Sequence, residues 1–187
     1  ITITDSVFPI ARALKIMERG HSDCSVFLLT PWSKDNFIPV AKVLHDRLDT
    51  VIVTRAGLVI TRIEDLHGRR LSIPRGSFRD SPISEDPNIQ RVLSNGYAQS
   101  VRLLKAGRVD AVAGSELSIL YYLSAEGLSQ KDIGVIVKYD PKQLWLHCGK
   151  GQLSDELLTK LEQATNSLRL EGAFENLAER YISLGSE

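Results

Sequence analysis

Three short stretches of this chain carry side chains suited to holding a small molecule. Gly76-Ser77, with Phe78 beside it, follows the apolar run Leu71-Ser72-Ile73. A turn from a strand into a helix leaves backbone N–H groups free to meet a carboxylate or another anion; the plain alternative is a serine-capped turn. Thr30 and Trp32 close a second apolar run, Cys24 to Leu29. Clefts open outside the carboxyl ends of strands in α/β sheets, so Trp32 is placed either to stack on a ligand or to pack against its own core. Lys34, two residues on, offers a cation but lacks the planar fork of arginine. Ser115 and Glu116 follow the run Asp110 to Gly114 and supply a hydroxyl and a carboxylate, with Ser115 equally suited to cap the next helix.

None of this amounts to catalytic machinery. The chain contains no G-x-S-x-G, no HExxH, no P-loop and no GxGxxG. No catalytic residue is therefore assigned, and binding rather than chemistry is expected. Cys24 and Cys148 form no CxxC pair and His21, His45, His67 and His147 are scattered, so neither a metal site nor a cofactor is expected. The cysteines read as small buried residues, or as one long-range disulfide if the compartment is oxidising.

The elements that position these residues announce themselves through a repeat. Residues 13–26 read ALKIMERGHSDCSV and residues 100–113 read SVRLLKAGRVDAVA. Each is a short amphipathic helix, then Gly20 or Gly107, two residues, Asp23 or Asp110, and a small-apolar strand. The two copies lie too far apart for a solenoid and suit two similar α/β lobes. The aspartates share a position in the turn, so each is expected to pin its own helix–strand junction. ITIT (1–4) reads as a strand, Asp5 or Ser6 as the cap of a helix carrying Ile10, Leu14 and Met17, and residues 30–37 as a loop. Residues 51–56, 89–94, 134–139 and 143–149 read as strands; 154–183 read as helical, broken at Gly172. Strands alternating with helices imply βαβ units and mainly parallel sheets. The chain is expected to cross between lobes near 54–58 and again near 140–146, giving a two-strand hinge.

Composition excludes several partners. Lys+Arg and Asp+Glu are equal at 23 each, with no long run of either sign, which argues against nucleic acid. The best apolar stretch, 51–60, is interrupted by Arg55, so no membrane span is expected. Residues 1–8 carry no basic segment and no long apolar run, so no signal peptide is expected within them.

The run DLHGRRLSIPRGS (65–77), then NGYAQSVRLLKAGRVDAV (95–112), then LSDELLTKLEQATNSLRLEGAFENLAERY (153–181) resembles the bacterial extracellular solute-binding proteins of family 3. These are the periplasmic amino-acid-binding receptors of ABC transporters. The resemblance implies an α/β, two-lobed, type II Venus-flytrap fold, with lobe 1 formed by 1–56 plus 147–187 and lobe 2 by 57–146. It implies a small polar solute, an amino acid or a related carboxylated compound, held between the lobes by Thr30, Trp32, Lys34, Gly76, Ser77, Phe78, Ser115 and Glu116. It also implies a membrane permease or receptor as partner, and a periplasmic or extracellular location. Two departures stand out. The family's opening strand–loop–helix unit has no counterpart before ITITDSVFPIARAL. The turn that usually supplies a carboxylate-binding arginine reads Thr30-Pro31-Trp32-Ser33-Lys34-Asp35, and the position that usually supplies an acid for the ammonium is Ser115. A sensor domain, a cyclohexadienyl dehydratase-like enzyme and a module that binds nothing tightly are the alternatives.

Overall fold

Ile10, Leu14 and Met17 recur at helical spacing and build α1 (Ile10–Glu18), which buries Leu14 and Met17. The computed structural model describes residues 4–79 and 81–182; the expected strand at 1–4 lies almost wholly outside them. Pro9, not Asp5 or Ser6, starts α1. Its carbonyl accepts from the N–H groups of Arg12 and Ala13, and its ring fixes φ at −55°.

Gly20 ends α1 with φ +72°, and Gly107 ends α4 (Tyr97–Lys105) with φ +65°. The two turns are bonded alike. Gly20 N–H donates to Met17 O and His21 N–H to Ile16 O; Gly107 N–H donates to Leu104 O and Arg108 N–H to Leu103 O. The sequence repeat is thus one helix-ending motif used twice, with glycine where a left-handed backbone is required.

Two sheets follow from the strands. The smaller holds β1 (Cys24–Leu28), β8 (Leu144–Gly149) and β2 (Phe37–Lys42) in that order, both pairings antiparallel. The larger runs β5 (Gln90–Ser94), β4 (Arg70–Pro74), β6 (Ala111–Ser115), β3 (Leu48–Arg55), β7 (Ile133–Lys142). Here β4 is parallel to β5 and β6, while β3 is antiparallel to β6 and β7. The α/β architecture is as expected, but the sheets are mixed and not mainly parallel: parallel pairing appears where a helix connects the strands, and antiparallel pairing where a strand arrives from, or leaves for, the smaller sheet.

Alternation along the central strands serves both faces of the larger sheet. Val51, Val53 and Val112 join the cluster under α4 and α5 (Glu116–Ala125), with Val101, Leu104, Ile119 and Leu123. Ile52, Ala111 and Ala113 point the other way, onto Ile60, Leu66, Leu71 and Ile83. The smaller sheet has a thinner core of Leu14, Met17 and Phe37, packed by Phe27 and Trp32. A disulfide between Cys24 and Cys148, directly opposite each other on β1 and β8, adds a covalent tie there.

Residues 30–37 were expected to be a loop but contain α2 (Pro31–Asn36), because Thr30 and Ser33 form a reciprocal capping box and Pro31 occupies the first turn. The first crossing between sheets also differs from expectation. It occurs at 43–47, since β3 pairs within the larger sheet from Leu48 onward; the return is at Gln143, between β7 and β8. After β8 come α6 (Asp155–Leu170), which packs on β2, and α7 (Ala173–Ile182), which packs on α6 and α5.

Candidate functional site

A cleft of about 290 Å³ lies between the two sheets. The smaller sheet's side contributes α1, the end of β1 and α2; the larger sheet's side contributes the turn after β4 and the starts of α4 and α5. The crossing strands close it with Leu48, Thr50, Tyr139 and Leu144.

The capping box that builds α2 also aims Trp32. Ser33 N–H donates to Thr30 Oγ1 at 3.1 Å, and Ser33 Oγ accepts from Thr30 N–H and donates to Thr30 O, both at 2.9 Å. The indole lies edge-on to Phe37, centroids 5.6 Å apart, and lines the cleft. Across the gap, Gly76 takes φ +83° and brings its backbone so close to α1 that a Cβ there would sit 3.1 Å from Ala11 Cα. Ser77 Oγ donates to Pro74 O at 2.6 Å, which ties the turn to the end of β4. Phe78 has φ +59°, an uncommon conformation for a bulky residue. Ser84 Oγ holds it by donating to its carbonyl at 2.6 Å. The next residue, Arg79, lays its guanidinium 4.1 Å from the centroid of the Trp32 ring.

Ser115 caps α5, accepting from Ser118 N–H and donating to Ser118 Oγ at 2.8 Å. Tyr97 hydrogen-bonds to Ser115, and burial pushes its phenol pKa up. Tyr139 shares a 3.0 Å hydrogen bond with Ser81, and burial raises its phenol pKa too, so both remain protonated donors at neutral pH.

Thr30, Trp32, Gly76, Ser77, Phe78 and Ser115 thus meet at one cleft; Lys34 and Glu116 do not. Lys34 follows Trp32 by two helical positions, which turns it roughly 200° away into solvent. Glu116 faces Lys138, whose ammonium it meets at 3.2 Å while Asp49 meets it at 2.8 Å. Asp110 is structural, as expected. Its carboxylate accepts from Arg70 N–H at 2.9 Å, Arg70 Nε at 3.2 Å and Arg55 Nε at 3.2 Å; these bonds, those from Arg70 foremost, lower its pKa to about 2. Among the described residues, no cluster of His, Cys, Asp or Glu could hold a metal ion.

Sequence reasoning missed Tyr97 and Tyr139. One signal for Tyr97 was present: Gly114 interrupts an apolar strand where a Cβ would fall 2.3 Å from Tyr97 Cε1.

No family model matches the chain. It is 26% identical over 137 residues to the probable amino-acid-binding protein YxeM of Bacillus subtilis (strain 168), a span of 71% of this chain. The chain covers only 51% of that relative's length. The amino acid ABC transporter substrate-binding protein AbpA of Streptococcus pneumoniae, solved with L-arginine, superposes with a TM-score of 0.79 at 17% identity, over 96% of this chain and 76% of that one. A histidine kinase sensor domain similar to periplasmic binding proteins superposes with a TM-score of 0.74 at 17% identity, over 93% and 75% of the two chains.

The fold is that of the two-lobed periplasmic binding proteins.

The family resemblance read from the sequence is matched by these relatives. In this periplasmic-binding-protein fold the cleft is the space between the sheets, and residues 43–47 and Gln143 connect them. The Gly76–Ala11 approach and the Arg79–Trp32 stack both bridge it, so the two sides are in contact.

Proposed function

We propose that this chain is the binding body of a two-lobed solute receptor, which closes on a small carboxylated compound and presents the closed form to a membrane permease. The observation that carries this reading is the cleft itself. It is lined from both sheets, and both sheets touch across it. The lobes are the smaller sheet with α1, α2 and α6, and the larger sheet with α3 (Pro82–Glu85), α4 and α5; the boundary runs through 43–47 and Gln143. Trp32 and Phe78 face the ligand from opposite sides; Thr30 and Ser77 hold the backbone that positions them, and Ser115 caps α5 beside Tyr97. Binding proceeds without chemistry. The hydroxyls at the site are engaged in helix caps and turn bonds, and the phenols of Tyr97 and Tyr139 stay protonated. The disulfide supports an oxidising location, periplasmic or extracellular. Among the described residues, no helix is long and apolar enough to cross a membrane.

A second reading, a sensor domain that passes closure to a membrane receptor, is favoured by the likeness to the histidine kinase sensor domain. The two share the cleft and differ in the partner.

A thermal-shift screen of amino acids and small organic acids tests the binding claim. A ligand present at about 100 times its dissociation constant stabilises the fold by roughly 2.7 kcal/mol, a rise of about 5–10 °C for a chain of this size. A folded sample with no shift across the panel would overturn the receptor reading.

A further inference from the structure

The charges lining the cleft are few and unequal. Asp140 and Lys142 both line it, and they neutralise each other through a 2.9 Å ion pair. Glu116, one of the candidate ligand-binding residues, lies outside the cleft lining and is paired with Lys138. Among the described residues that line the cleft, no carboxylate is left to hold an ammonium group.

The positive side is different. Arg79 sits at the cleft rim, exposed, and makes no ion pair with any described residue. Its guanidinium carbon lies over the Trp32 ring, and among the described residues its N–H groups meet no acceptor; the planar fork of arginine grips a carboxylate with two parallel hydrogen bonds. The backbone N–H groups of Phe78 and Arg79 donate to no described residue, so they add donors on the same turn. The left-handed backbone at Phe78 aims this turn, and strain of that kind persists only where the surroundings enforce it. The remaining lining combines apolar and aromatic side chains, among them Val26, Phe27, Trp32, Phe78 and Leu144, with uncharged hydroxyl groups such as those of Thr50 and Ser115.

We propose that the cleft selects a monocarboxylic acid with an aromatic or branched apolar body and no amino group, its carboxylate held by Arg79. An α-amino acid of the same shape would bring its ammonium into a cleft whose described lining offers no unpaired carboxylate, and a charge taken out of water without a counter-charge is disfavoured. The proposal rests on the receptor reading above and narrows its ligand. It explains together why the acidic position of amino-acid receptors is a helix-capping serine here, and why a cation without an ion-pair partner among the described residues stands on the larger-sheet side.

The test is isothermal titration of the full chain with three acids and their amino-acid counterparts: phenylacetate and L-phenylalanine, indole-3-acetate and L-tryptophan, 4-methyl-2-oxopentanoate and L-leucine. Phenylacetamide, neutral and of the same shape as phenylacetate, is the fourth arm. At least one acid is expected to bind 10-fold or more tighter than its amino acid, and phenylacetamide to bind 10-fold or more weaker than phenylacetate. Arg79→Gln is expected to weaken the acids about 10- to 100-fold with an unchanged melting temperature. Arg79→Lys, which keeps charge but loses the fork, should fall between. An amino acid that binds as tightly as its acid overturns this inference and leaves the receptor reading standing. Acids that bind equally well to Arg79→Gln overturn the role of Arg79. A folded chain that binds none of the probes overturns this inference, while the receptor reading falls only if the wider thermal-shift panel also gives no shift.

Discussion

Replacing Gly76 with alanine separates what the backbone turn needs from what closure needs. Gly76 has φ +83°, where an alanine costs about 1–2 kcal/mol. That cost is local and is paid whether or not the lobes touch. A second cost arises only when they do. The new Cβ would lie 3.1 Å from Ala11 Cα, 3.2 Å from Ala11 Cβ and 3.3 Å from Ala11 N. Ala11 belongs to α1, on the other side of the cleft, and two of those atoms are backbone, so the helix itself would have to shift. Overpacking of this kind typically costs about 1–3 kcal/mol, or roughly 5- to 150-fold in affinity for a ligand that requires closure. Gly57→Ala is the matched control: φ is +77°, and no atom lies within 4 Å of its Cβ position. Urea unfolding without ligand should show similar losses for both variants. Titration with the tightest ligand found should show weakened binding only for Gly76→Ala. Equal affinity for the two variants would refute the claim that the lobes close on a ligand through this contact.

Three further outcomes follow from groups away from the cleft. The Cys24–Cys148 bond closes a sequence separation of 124 residues, worth about 5 kcal/mol if loop entropy alone acts; urea unfolding with and without dithiothreitol should show most of that loss, and a change below about 1 kcal/mol would contradict it. Asp110, whose pKa is lowered to about 2 from an unfolded value near 3.8, stabilises the fold by about 2 kcal/mol above pH 4. That stability should fade as pH drops toward 2, and Asp110→Asn should flatten this part of the pH profile. His147 is fully buried and stacked 4.0 Å from Phe27, and burial lowers its pKa to about 4. The unfolded chain takes up that proton first, so stability should fall by about 3 kcal/mol between pH 6.5 and pH 4; His147→Phe should remove that slope, and a variant that keeps it would show that another group is responsible.

Local signals carried much of the fold. The helix–glycine part of the repeated phrase appears twice in the structure with the same hydrogen bonds, because a glycine-ended helix needs no tertiary context to specify it. Strand direction was less legible: β3, β7 and β8 read as apolar runs, and nothing within such a run says whether its neighbour is parallel. The misplaced first crossing has the same cause, since Leu48–Arg55 is apolar enough for either sheet. At the site, positions just after strands were legible, which is why Thr30, Trp32, Gly76 and Ser115 converge. Lys34 and Glu116 failed on helical phase, because a polar residue near a strand end faces the cleft only if the helix turns it there. Arg79 became prominent only when folding laid it over Trp32, some fifty positions earlier in the chain.

The two tryptophans give the most direct test of ligand binding between the lobes. Trp32 lines the cleft, whereas the Trp145 indole N–H donates to Gln143 Oε1 at 3.1 Å near the crossing. In a nitrogen-15-labelled sample the two indole N–H signals can be assigned with Trp32→Phe and followed as phenylacetate and the other probes are added. The Trp32 signal should move and saturate with the same dissociation constant as the calorimetric titration. A ligand that saturates by calorimetry while the Trp32 signal stays fixed would bind elsewhere and would contradict the account.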